Sequence, residues 1–114
     1  MKICMPRGDI RDVRFTVYDH TGQRICTVPF DEIYVTFKNN TNTAVCLFQK
    51  RLTAGTVWQE DLGIYQFRIL PGDTDNLKIG SYVFDIELMY ADEIKQTTVG
   101  LLELLPEVTY AVNE

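Results

Sequence analysis

LPGDTDNLKIGSYVFDIEL, residues Leu70 to Leu88, changes character halfway along. Its first part is a turn-forming mixture in which Pro71, Gly72, Asp73, Asp75 and Asn76 crowd together. In its second part Tyr82, Phe84, Ile86 and Leu88 fall on one phase, while Ser81, Asp85 and Glu87 fall on the other. Period-two alternation of this kind marks a half-buried β-strand. The acids ahead of it suggest a calcium loop, which would need Gly at its sixth position and Glu at its twelfth. Counted from Asp73, those positions hold Lys78 and Phe84, so the metal reading fails. A structural reading uses the same residues better. Asp73 or Thr74 caps a single helical turn within Thr74 to Lys78, and Leu77 is buried beneath it. Gly80 then frees a backbone angle ahead of Tyr82.

The alternation recurs along the chain. Val13, Phe15 and Val17 share one phase, and after the turn Asp19-His20-Thr21-Gly22 a short run covers Arg24 to Val28. Ile33, Val35 and Phe37 follow Pro29, then the polar loop 39–43 leads into a strand expected from Ala44 to Phe48. A short strand is expected around Thr56 to Gln59, with Trp58 as core filling. Tyr65, Phe67 and Ile69 then share a face. Ala91-Asp92-Glu93 reads as a hairpin tip from which Ile94 to Leu105 returns, with a bulge expected at Gly100 because the apolar phase there is ambiguous. Val108, Tyr110 and Val112 form a last short strand. Helix has almost no support. The expectation is an all-β sandwich of seven to nine antiparallel strands, with residues 1–114 as a single domain.

Composition narrows the function classes. The chain has 114 residues, 46% of them hydrophobic, and 16 acids against 11 bases for a net charge of −5. That balance disfavours nucleic-acid binding and anionic membrane surfaces, both of which call for a basic face. No apolar run approaches the about 18–20 residues of a membrane span. Met1 to Asp9 contain no apolar signal core, so Cys4, Cys26 and Cys46 are expected as reduced thiols of a cytosolic product. A single Cys4–Cys26 or Cys26–Cys46 bridge is the alternative.

The catalytic inventory is poor. The chain has one histidine, His20, in an apparent turn and without a nominated nucleophile. The cysteines lack the close pairs of zinc sites, and there is no Gly-rich phosphate loop. The expectation is therefore no enzyme activity, no cofactor and no metal. Arg7-Gly8-Asp9 matches an integrin-binding tripeptide, and Asn39-Asn40-Thr41 a glycosylation acceptor; both read here as ordinary bend and turn residues. Aromatics are the remaining pointer. Tyr18 and Tyr34 sit on the opposite phase from their apolar neighbours, which marks them as candidate interface residues.

Leu77-x-x-Gly80-x-Tyr82 resembles the tyrosine corner of immunoglobulin-like domains, in which a Tyr hydrogen-bonds back to the corner backbone. The longer run Tyr65 to Glu87, YQFRILPGDTDNLKIGSYVFDIE, together with GLLELLPEVTY from Gly100 to Tyr110, resembles the small immunoglobulin-like N-terminal domains of phage baseplate upper proteins. The likeness extends over about residues 9–110 in layout and 63–110 in detail. It implies a non-enzymatic structural protein of a phage or prophage particle, in its tail, baseplate or head–tail region. Such a protein is made in the bacterial cytoplasm, carried into the virion, and works through contacts with itself or other virion proteins as a homo-oligomer. One departure is that baseplate upper proteins continue into a long further region, whereas this sequence stops at Glu114. The alternative expectation is a module binding carbohydrate or another cell-surface ligand, with Trp58 and Tyr34 or Tyr65 as its aromatic platform.

Overall fold

The computed structural model describes residues 1–18, 21–24, 30–40, 45–61, 63–90 and 93–106, the stretch 93–95 by its backbone alone. Among these residues eight strands and one helical turn follow in the order β1 (Lys2–Pro6), β2 (Arg11–Thr16), β3 (Glu32–Lys38), β4 (Phe48–Arg51), β5 (Val57–Asp61), β6 (Ile64–Ile69), α1 (Pro71–Thr74), β7 (Gly80–Tyr90) and β8 (Glu93–Leu105). They form a five-stranded sheet, β1-β8-β7-β3-β4, and a three-stranded sheet, β2-β6-β5. The two sheets face each other across one core, and their strand order is that of an immunoglobulin-like β-sandwich. One pairing differs from the all-antiparallel expectation: β1 runs parallel to β8, Lys2 opposite Leu101 and Pro6 opposite Leu105. β1 lies outside the strands expected from sequence, because five residues ending in proline carry too little alternation to stand out.

Alternation selects what goes inside. Ile33, Val35 and Phe37 of β3, Tyr82, Phe84, Ile86 and Leu88 of β7, and Leu102 and Leu104 of β8 line the large sheet's inner face. Val13, Phe15 and Val17 answer from β2 and just beyond it, and Tyr65, Phe67 and Ile69 from β6. Phe37 is the central contact. It stacks on Phe48 and Phe84 within its own sheet, with centroids 4.2 and 5.0 Å apart, and meets Phe67 of the other sheet edge-on at 6.1 Å.

Three local expectations shift. The strand expected to end at Phe48 instead begins there, and its expected first residue, Ala44, lies outside the described residues. The helical turn comes earlier, over Pro71–Thr74, since Pro71 has the backbone angle a first helical residue needs. Gly100 is not a bulge: it pairs in register with Phe84, and the irregularity of that hairpin lies between Leu88 and Met89. The run 25–28, the tip residues Ala91 and Asp92, and the last strand over Val108 to Val112 lie outside the described residues.

Gly100 is required for space. A methyl group there would lie 2.7 Å from Cε1 of Phe84 and 2.9 Å from the carbonyl oxygen of Met1. Gly100→Ala should therefore destabilise the fold by about 1–3 kcal/mol through overpacking. Denaturant unfolding measures it, and the loss should be less than additive with Phe84→Leu, which makes room for the methyl.

Candidate functional site

The corner between β6 and β7 is built from the acids and turn residues that first suggested a metal. Asp73 accepts the backbone N–H of Leu70 at 2.8 Å and pairs with Nζ of Lys50 at 2.6 Å, a lysine that is itself buried on β4. Thr74 is fully buried, and its hydroxyl oxygen accepts the N–H of Gly8 at 2.9 Å. Leu77 packs half-buried against the core, and Gly80 takes a φ of 146°, open to glycine and strained for other residues. Tyr82 is buried, and its hydroxyl donates to the Lys78 carbonyl at 2.5 Å. Asp75 and Asn76 are exposed.

The same corner engages Arg7-Gly8-Asp9. The guanidinium of Arg7 donates to the Leu77 carbonyl at 3.1 Å, and Gly8 is held by Thr74. Two residues of the tripeptide therefore have structural work in the bend between β1 and β2. Removing the Tyr82 hydroxyl leaves the Lys78 carbonyl without its donor. Tyr82→Phe should cost about 1–3 kcal/mol, the range for a buried group left unsatisfied, read as a lower melting temperature.

A second polar cluster holds the turn between β4 and β5. The Glu32 carboxylate accepts the N–H groups of Ile33 and Thr53, both at 3.0 Å, and the Thr53 hydroxyl, and it pairs with Arg51 at 3.2 Å. Burial pushes its pKa up, but the bonds from Thr53, Ile33 and Arg51 outweigh burial and hold the carboxyl below its ordinary 4.5. A depressed pKa means stability present above the ordinary value and lost as pH falls through the folded one. Glu32→Gln should thus melt lower than the wild type near neutral pH, and the gap should close as pH is taken from about 7 to about 3.

The interface residues expected from sequence do not share a surface. Tyr18 is 52% exposed just past the end of β2, on the small sheet, where it bridges Arg24. Tyr34 is half-buried on the outer face of β3, on the large sheet, with the Arg51 guanidinium 5.2 Å above its ring. Nor does the aromatic platform form. Tyr65 is in the core, Tyr34 is on the other sheet, and Trp58 lies half-buried on β5 across from Gln66. His20 and Cys26 lie outside the described residues; Cys4 and Cys46 are exposed free thiols.

The sequence reading missed a different patch. On the large sheet's outer face a shallow depression is lined by Thr36, Lys38, Val83, Phe84, Asp85 and Val99. Val99 and Leu101, flanking Gly100, are 58% and 47% exposed. Asp85 lies between these strands' apolar side chains and Thr36, and its Oδ1 is buried without a hydrogen-bond partner among the described residues. The signal was the ambiguous apolar phase around Gly100. It reflects a strand that is apolar on both faces, with Leu102 inward and Val99 and Leu101 outward.

No protein-family model and no curated protein matches the chain. Among solved structures the chain is similar to the NK cell receptor Nkp44, described as a triggering partner in natural cytotoxicity. The identity is 19%, over 91% of this chain and 96% of that one, with a TM-score of 0.46. The strand order, rather than that likeness, defines the fold.

Proposed function

We propose that the chain is a non-enzymatic assembly protein of a phage or prophage particle, in its tail, baseplate or head–tail region. It acts by contacts with copies of itself or neighbouring virion proteins. In this reading it is made in the bacterial cytoplasm and carried into the virion. The particle setting rests on the likeness of Tyr65 to Glu87 and of Gly100 to Tyr110 to the immunoglobulin-like domains of baseplate upper proteins.

The contact role rests on one observation, the outer face around Asp85. A carboxylate oxygen out of water and unpaired is a costly arrangement. Here it lies in a depression with Val83 and Val99, bordered by Thr36 and Lys38, and the exposed Leu101 stands on the same face opposite Val83. Exposed apolar side chains beside an unsatisfied acceptor, with polar residues at the border, are the make-up of an interface centre, completed when a partner supplies the donor.

The test is incorporation. Purified particles carrying this chain's gene should contain the protein by mass spectrometry. Leu101→Arg, which places a charge on the patch without entering the core, should lower its incorporation at least about tenfold while the isolated protein keeps its melting temperature. Particles that lack the wild-type protein would overturn the reading.

A further inference from the structure

Another cleft shares no residue with the Asp85 face. It opens where β4 turns into β5 beside the end of β6, and it is lined by Lys50, Gly55, Thr56, Trp58, Arg68 and Leu70, all of them described residues. Its volume is about 210 Å³. Sites for drug-sized ligands run to roughly 300–1,000 Å³, so this one suits a single ring. The Thr56 hydroxyl accepts the Arg51 N–H at 2.7 Å and donates to the Arg51 carbonyl at 3.1 Å, which fixes the turn that forms one wall. Gly55, in the left-handed region at φ 78°, adds no side chain to that wall.

What remains is a set of donors without acceptors. Lys50 carries three N–H protons, and its side chain is only 7% exposed. One proton goes to Asp73 at 2.6 Å, and no other hydrogen-bond partner of the ammonium occurs among the described residues. A buried ammonium so little satisfied calls for further acceptors. Arg68 gives Nε and Nη2 to Asp12, at 2.6 and 3.1 Å, and its Nη1 has no partner among those residues. Trp58, half-buried, and Leu70, 45% exposed, add apolar surface beside the two cations.

Charge decides between ligands. Asp73 offsets Lys50 and Asp12 offsets Arg68, and neither acid lines the cleft. An anion would therefore find donors but no net positive charge, with two carboxylates close behind them. An uncharged group rich in oxygen meets the same donors without that repulsion. Its carbon framework must also cover an aromatic ring and a leucine side chain. We propose that the cleft is a carbohydrate subsite for one neutral pyranose ring, which packs its C–H face on Trp58 while its hydroxyl oxygens accept from Lys50 and Arg68. Hydrogen bonds from charged donors are the stronger kind, and an aromatic wall with a few placed polar groups is the usual make-up of a small-molecule site. Trp58 thus serves with two cations rather than with the second aromatic ring expected from sequence. The subsite is independent of the assembly reading, since it uses no residue of the Asp85 face.

Trp58 is the chain's one tryptophan, so its emission reports on the cleft directly. The purified chain is titrated with the methyl pyranosides of glucose, galactose, mannose and N-acetylglucosamine, and with methyl glucuronide as the anionic counterpart of the glucoside. At least one neutral pyranoside should shift the emission saturably, with a Kd below about 10 mM, and methyl glucuronide should bind no better than methyl glucoside. Arg68→Met removes donors that belong to an exposed ion pair. It should leave folding nearly unchanged while weakening binding at least about tenfold. Trp58→Leu removes the reporter, so amide chemical shifts follow that variant. The sugar-induced shifts that the wild type shows at Lys50 and Arg68 should vanish, while the rest of the spectrum stays that of the folded chain. No saturable change with any neutral pyranoside, tighter binding of the glucuronide than of the glucoside, or binding unaltered by Arg68→Met or by Trp58→Leu would each overturn the subsite.

Discussion

The hydroxyl of Thr74, buried and holding the N–H of Gly8, joins the two chain crossings that connect the sheets. A sandwich needs its chain to cross from one sheet to the other, and crossings expose backbone groups that no ladder satisfies. Two crossings meet here, β1 to β2 in the large-to-small direction and β6 to β7 in the reverse. Thr74 bonds one to the other, and Arg7 repeats the link through the Leu77 carbonyl. Lys50 reaches the same turn from β4 through Asp73, and Tyr82 closes it from inside. An acid and a lysine so shielded would be costly apart, and their pairing is how the corner accommodates both.

The corner ties the two crossings together, and side-chain volume fills the space between the sheets. Phe37 touches aromatic rings of β4, β6 and β7, so its position links both sheets. The Phe84 ring lies where a residue larger than Gly100 would clash. Strand β8 is therefore committed to glycine on its inward phase. Its outward neighbours Val99 and Leu101 remain free to be apolar without entering the core, which is how one strand serves packing and surface together.

The fold was legible because alternation is local: the inward phases of β2, β3, β6 and β7 could be read one residue at a time. The tyrosine corner was legible in outline, since Leu77, Gly80 and Tyr82 keep a fixed spacing. Its reach was not. That Thr74 would hold Gly8, or Asp73 would hold Lys50, depends on pairing across 66 and 23 positions, which no window of sequence displays. β1 was hidden twice over, because five residues ending in proline show little alternation and its parallel partner lies almost a hundred residues on. The surface was least legible. Tyr18 and Tyr34 stood out as aromatics on a polar phase, yet opposite phases on different strands do not specify a common face. The Asp85 patch needed three strands set side by side before it became visible.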